Sequence, residues 1–143
     1  MSETNKLIEK YKETAEGYHP FIIRDGWQVA QLNYDDNQLV ENISKLDVHH
    51  KTDEVFVSLK GKAVLITAAI IKNEPAFEIE LMKPGITYNI PQGVWHNIAM
   101  RKGSEVLIVE KSDTHLGDFE FYDLSAHNQK EMVQAVNKLF DNN

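Results

Sequence analysis

Two segments of this 143-residue chain carry the side chains best suited to chemistry. The first, Leu46 to Gly61, holds Asp47, the adjacent pair His49 and His50, and the acids Asp53 and Glu54. The second, Pro84 to Asn97, holds His96 just after Pro91-Gln92-Gly93. Pro91 cannot donate to a β-ladder and Gly93 can take a positive φ, so this tripeptide turns one strand into the next. Alternation along the returning strand places Val94, His96, Ile98 and Met100 on one face, and Trp95, Asn97 and Ala99 on the other. An imidazole on an otherwise apolar face needs a hydrogen-bond partner or a metal ion. The chain has no cysteine. Disulfides, zinc–thiolate sites and cysteine nucleophiles are therefore excluded, and any metal must rest on imidazole nitrogen and carboxylate oxygen.

Other chemistries leave no signature. There is no glycine-rich phosphate loop and no Gly-x-Ser-x-Gly elbow. Asp53 and Glu54 are neighbours on a strand and point to opposite faces, so they do not form a glycosidase pair. A net charge of −7 with scattered basic residues excludes nucleic acid as a partner. No apolar run approaches the roughly 20 residues that span a bilayer, so no membrane segment is expected. The N-terminus has neither a basic n-region nor an apolar h-region, and a cytoplasmic location is expected.

The elements that must position these residues follow from periodicity. Leu7, Ile8, Tyr11 and Ala15 recur at helical spacing, which predicts a helix over Ser2 to Ala15 that ends by Gly17. From Phe21 the period changes to short β-branched and aromatic runs broken by Gly, Pro, Asn and Asp. Strands are predicted at Phe21–Ile23, Gln28–Tyr34, Leu46–His49, Glu54–Lys60, Lys62–Ile71, Ala76–Lys83, Thr87–Ile90, Trp95–Arg101 and Glu105–Lys111. Phe77, Ile79 and Leu81 alternate with Glu78 and Glu80, so one face of that strand meets water. Ala63–Ile71 is apolar on both faces, so one side faces a barrel interior and the other a second sheet or subunit. Met132, Val133, Val136, Leu139 and Phe140 form one helical stripe over Ser125 to Phe140, with Ser125 as N-cap. Many short strands without intervening helices predict an all-β antiparallel sandwich or barrel in a single domain.

The two chemical segments together resemble the motifs of the cupin family. Its second motif, Gly-x5-Pro-x-Gly-x2-His-x3-Asn, is matched by Gly85, Pro91, Gly93 and His96, with Met100 in the final Asn slot. Its first motif is a His-x-His pair followed by Glu and then Gly; Glu54 and Gly61 have the right spacing, but the histidines are adjacent. Two registers are open. In one, His49 fills the second histidine slot and Asp47 the first, giving Asp47, His49, Glu54 and His96. In the other, His50 fills the slot and Val48, which cannot ligate, takes the first. The former is preferred because it keeps a full set of N and O ligands.

The resemblance implies an antiparallel double-stranded β-helix, the cupin or jelly-roll barrel, flanked by an N-terminal and a C-terminal α-helix. On this reading residues 1–143 form one domain, with a helix at 1–17, the barrel at 21–112 and a helix at 125–141. The first motif occupies 46–61 and the second 85–100. The resemblance further implies a divalent metal (Fe, Mn, Ni, Co or Zn) held by His49, Glu54 and His96, with Asp47 or His50 as a further candidate. Phe56 and Ser58, in phase with Glu54, and Tyr88 and Met100 are expected to line the same pocket. His115, after the last barrel strand, lies within reach of its mouth. A metal-dependent isomerase or oxygenase acting on a small oxygenated metabolite is one implied function. A non-catalytic cupin that binds or senses a small molecule is the other, favoured by the irregular first motif and the missing Asn. A homodimer is expected, because cupins commonly pair and Ala63–Ile71 is apolar on both faces.

Overall fold

The alternating runs pair as antiparallel strands in two five-stranded sheets that face each other across an apolar interior. The computed structural model describes residues 7–143. One sheet has the order β1 (Gly17–Arg24), β2 (Trp27–Asn33), β9 (Glu105–Glu110), β4 (Glu54–Lys60), β7 (Thr87–Ile90). The other has the order β10 (Glu120–Asp123), β3 (Lys45–Val48), β8 (Trp95–Met100), β5 (Ala63–Ile71), β6 (Glu74–Leu81). Apart from the hairpins β1–β2 and β5–β6, neighbours in each sheet are distant in sequence, as in a jelly-roll barrel. The helices are the four-residue α1 (Thr114–Gly117) and α2 (Ala126–Asp141).

Alternation divides the apolar residues between two cores. Ala30, Leu32, Phe56, Leu65, Ile98, Met100, Val106 and Ile108 point inward and fill the barrel. Leu46, Val64, Ile66, Ala68 and Ala99 point outward and are covered by Met132, Val136 and Phe140 of α2. The outer face of Ala63–Ile71 is therefore covered largely by this chain's own C-terminal helix, rather than by a second sheet. Each of the three helix side chains is fully buried, which stabilises the docked helix by about 1.5–3 kcal/mol apiece. Ser125 caps α2 as expected, its Oγ accepting from the Asn128 N–H at 3.0 Å. Among the described residues, no helix is long and apolar enough to cross a membrane.

Over the described residues 7–16 the predicted N-terminal helix is not formed. Residues 1–6 of that span lie outside the described residues, and residues 7–16 are irregular. Their backbone groups go elsewhere: Asn33 Nδ2 donates to the carbonyls of Glu13 (2.9 Å) and Ala15 (2.8 Å). The helical stripe has no core to cover, since Leu7 and Ile8 are exposed and Tyr11, itself largely exposed, rests against Phe21. A short helix without a buried face is marginal in water, so contacts with β2 win. The structure also adds β10, an edge strand pairing with β3, which the sequence patterning does not announce.

Two turns bring the chemical segments together. The Gly93 N–H donates to the His49 carbonyl at 2.8 Å, tying the Pro91–Gly93 turn to the end of β3. Asp53 accepts from Gln92 N–H at 2.9 Å and from Asn89 Nδ2 at 3.1 Å, so this acid serves as a brace. At the other end Gly61, with φ +78°, makes the β4–β5 turn. A Cβ there would stand 2.6 Å from Ser104 Cβ, so only glycine fits.

Candidate metal centre

Four strands aim polar side chains into one end of the barrel. Asp47 of β3 lies directly opposite His96 of β8, and Glu54 of β4 directly opposite Glu110 of β9. His49 enters from the loop just after β3. His49, Glu54, His96 and Glu110 are all buried. Two buried carboxylates facing each other across a ladder repel, so this end of the barrel calls for positive charge.

The hydrogen bonds define how that charge can be supplied. Glu54 Oε1 lies 3.0 Å from His49 Nε2 and 2.9 Å from His96 Nε2. The opposite nitrogens are also engaged: His49 Nδ1 is 2.7 Å from the Asp118 carbonyl, and His96 Nδ1 is 2.9 Å from the Val94 carbonyl. A carbonyl accepts only, so each Nδ1 must carry the proton. In a neutral ring, Nε2 is then a bare lone pair aimed at a carboxylate oxygen. Two such acceptors meeting a third are reconciled either by a cation among them or by protonation of both rings.

Without a metal, the second option holds. Burial opposes charge on His49, but the hydrogen bond to Glu54 and its negative charge outweigh burial and raise the imidazole to about 9. His96 is raised for the same reasons. Burial would push the Glu54 carboxyl up, yet the bonds from both histidines hold it well below the usual carboxylate range. Asp47 is raised chiefly by burial, and Glu110 by burial and then by the charge of Glu54.

Two carboxylate oxygens lack a hydrogen-bond partner: Asp47 Oδ1 and Glu110 Oε1 are buried and accept no hydrogen bond, although Glu110 Oε1 lies 3.9 Å from His49 Nε2. The other oxygen of Glu110 accepts from Tyr18 Oη at 2.6 Å and Gln28 Nε2 at 3.3 Å. One donor atom each from Asp47, His49 and His96 lie within 4.8 Å of one another, as do one each from His49, Glu54 and Glu110. Orphaned oxygens beside two imidazoles with fixed tautomers are a donor set that fits a divalent cation of borderline hardness.

A cavity of about 300 Å³ opens onto this cluster. Asp47, His49, Glu54, Phe56 and His96 line it, as the sequence predicts. His115 also lines it, its Nδ1 3.1 Å from Gln28 Nε2. His50 points outward, half exposed, with Nε2 3.4 Å from Glu120 Oε2, so only the His49 register brings a histidine to the cluster. Three predicted pocket residues are not brought to it. Ser58 has the right phase but sits four residues along β4 from Glu54, roughly 13 Å at strand rise. Met100 is likewise deeper, in the barrel core. Tyr88 lies on the edge strand β7, where its Oη accepts from the Lys83 N–H at 2.9 Å.

Several lining residues escape the motif reading: Tyr18, Gln38, Glu110, Phe119 and Phe121. Glu110 has a legible signal, since it continues the inward phase of Val106 and Ile108. Gln28 does the same for Ala30 and Leu32. A polar residue closing an inward apolar phase marks the polar end of a barrel. Phe119 and Phe121 come from the segment after α1 and carry no such pattern.

No family model matches the sequence, and no curated protein matches it. Solved structures do. A crystal structure of BH2720 from Bacillus halodurans matches with a TM-score of 0.58 at 13% identity, covering 92% of this chain and 96% of that one. Hydroquinone 1,2-dioxygenase from Sphingomonas sp. TTNP3, with 4-hydroxybenzoate bound, matches with a TM-score of 0.51 at 8% identity, covering 69% and 68%. A cupin-2 domain containing protein from Shewanella frigidimarina matches at 18% identity with a TM-score of 0.48, covering 70% and 84%. At these identities the likeness is one of fold alone.

Proposed function

We propose that this cupin-fold chain holds a divalent metal ion through His49, Glu54 and His96, with Asp47 completing the set. In the same reading it acts on a small oxygen-bearing molecule in the adjoining cavity, as a metal-dependent isomerase or oxygenase. One observation carries the reading: both Nε2 atoms converge on a single Glu54 oxygen while both Nδ1 atoms are committed to carbonyls. The unpartnered Asp47 Oδ1 beside them supplies the fourth donor. Such an ion polarises a carbonyl or enolate oxygen or, if iron, supports O₂ chemistry.

The chain's own residues would do the rest. Asp118 and Val94 hold the two imidazoles in the ligating tautomer. Tyr18 and Gln28 hold Glu110 by one oxygen, so that Oε1, 3.9 Å from His49 Nε2, would be the oxygen to take or return a proton beside the metal ligands. Leu32, Phe56, Ile98 and Ile108 exclude water from the inner wall.

A second reading has its own support. When both imidazoles are protonated, the His49–Glu54–His96 bonds are satisfied with no ion at all, which suits a binding or sensing module. Metal analysis of protein purified without chelator or affinity tag decides between them. The metal reading expects a stoichiometric ion that is lost in His49→Ala and His96→Ala and retained in His50→Ala. Protein free of metal, which also takes up none of Fe(II), Mn(II), Ni(II), Co(II) or Zn(II) on titration, leaves the sensing module.

A further inference from the structure

One segment from outside the barrel reaches the ligand set. Between β9 and α2 the chain leaves the first sheet, makes the single turn α1, and crosses the cavity mouth to pair as β10 with the edge of β3. His115, Phe119 and Phe121 of this strap line the cavity. Both of its ends are pinned. At the near end the Asp113 N–H donates to Oε1 of the buried Gln28 at 2.9 Å, and Oγ1 of the buried Thr114 donates to the Lys111 carbonyl at 2.7 Å. At the far end the Leu124 N–H donates to the Ser44 carbonyl at 2.9 Å. Between the pins little apolar surface is buried, since Leu116, Phe119 and Phe121 are 70%, 40% and 50% exposed. A stretch with so little apolar burial opens at lower cost than the barrel beneath it.

Asp118 supplies the hold instead. Its carboxylate accepts from the His50 N–H and the Lys51 N–H, each at 2.9 Å. Its carbonyl accepts from His49 Nδ1 at 2.7 Å. Its own N–H donates to the Thr114 carbonyl at 3.0 Å, which ties it into α1. Three donors of the loop that carries His49 thus end on a single residue of the strap. With the strap closed, Nδ1 keeps its proton and Nε2 faces Glu54. With the strap open, the ring is free to turn and to take either tautomer. The β10–β3 ladder acts on a second ligand of the set, because Phe121 lies directly opposite Asp47.

Resting on the metal reading above, we propose that Asp118 is a positioning residue that couples the strap to the metal site: the closed strap holds His49 in its ligating form, and an ion on Nε2 holds the strap closed. The coupling is reciprocal, since an ion that prefers the closed form disfavours opening by the same factor by which opening weakens its binding. Loading the site therefore tightens the cover over the cavity.

The test follows hydrogen exchange by mass spectrometry in untagged protein, with excess EDTA and with saturating Mn(II), and measures Mn(II) affinity by calorimetry in wild type and variants. In EDTA, peptides spanning residues 112–123 should exchange faster than those of the β4–β9 ladder. Mn(II) should slow the strap about tenfold or more. Asp118→Ala should bind Mn(II) about tenfold more weakly, a loss typical for the outer partner of a ligating histidine. Asp118→Asn, which keeps one acceptor oxygen, should lose less. A residue that served stability alone would lower the melting temperature and leave the Mn(II) affinity unmoved. The wild-type exchange arm uses no variant and decides the matter even if Asp118→Ala fails to fold. A strap that exchanges together with the barrel in EDTA, a strap that bound Mn(II) does not slow, or a folded Asp118→Ala with wild-type affinity overturns the coupling and leaves the metal reading standing. A chain that takes up neither Mn(II) nor any of the other ions named above sinks the metal reading, and the coupling with it.

Discussion

Replacing Glu54 by glutamine tests the charge logic of the site at its centre. The substitution keeps the shape but removes the charge from the one oxygen that both imidazoles meet, at 3.0 and 2.9 Å. In chelator-treated protein those contacts are ion-pair hydrogen bonds. A bond to a charged partner contributes about 1.5–3 kcal/mol against roughly 1 kcal/mol for a neutral one, so converting two of them costs about 1–4 kcal/mol. For a domain of this size each kcal/mol moves the melting temperature by about 2–4 °C, which predicts a fall of roughly 2–16 °C. Metal should widen the gap. An ion at 1,000 times its Kd stabilises the wild type by about 4 kcal/mol, and a hundredfold weaker site loses about 2.7 kcal/mol of that. Thermal melts followed by circular dichroism, with excess EDTA and with excess Mn(II), read both terms separately. A variant that melts with the wild type in EDTA would refute the assignment of Glu54 as the shared partner of two charged imidazoles. A variant that gains as much as the wild type from Mn(II) would refute its role as a ligand.

Three further outcomes are expected. Because His49 is raised in the folded state from 6.5 to about 9, its bond to Glu54 stabilises metal-free protein fully below pH 6.5 and is lost as pH rises through about 9. Metal needs the neutral imidazole, so the stabilisation by Mn(II) should grow over the same range; melts at pH 6 to 9 with and without metal should diverge. Gly61→Ala sets a Cβ 2.6 Å from Ser104 Cβ at positive φ, and urea denaturation should show a loss of about 1–3 kcal/mol with metal stoichiometry unchanged. Ser125→Ala removes the cap of α2 and should cost about 1 kcal/mol in the same assay.

Much of the barrel was legible because a strand's period is short and local. Glu54–Lys60 and Thr87–Ile90 are observed at their expected bounds, and the other seven predicted strands differ by a few residues at most at either end, apart from β1, which begins earlier, at Gly17. The Met132–Phe140 stripe identified the C-terminal helix, since it has a face of β5 and β6 to bury against. The same pattern failed at Leu7 to Ala15, where no partner surface exists and Asn33 captures the backbone instead. A helical period states which residues would share a face; only the fold states whether anything covers it.

The histidine pair shows the same division. Alternation alone separated His49, in phase with Asp47, from His50, in phase with Val48, and His49 is the one that reaches Glu54. Adjacent residues on an extended chain point to opposite sides, and that is a property of the chain itself. What the chain alone could not say is which partners meet across sheets. Glu110 faces Glu54 through the β4–β9 ladder, His49 donates its second hydrogen bond to the carbonyl of Asp118, 69 residues away, and Phe119 and Phe121 reach the cavity from the segment after α1. Those pairings are set by sheet order and loop docking, which join residues far apart in sequence. The residue types and faces of the site were thus written locally, while its charge balance, its orphaned acceptors and the walls of its cavity were decided by tertiary structure.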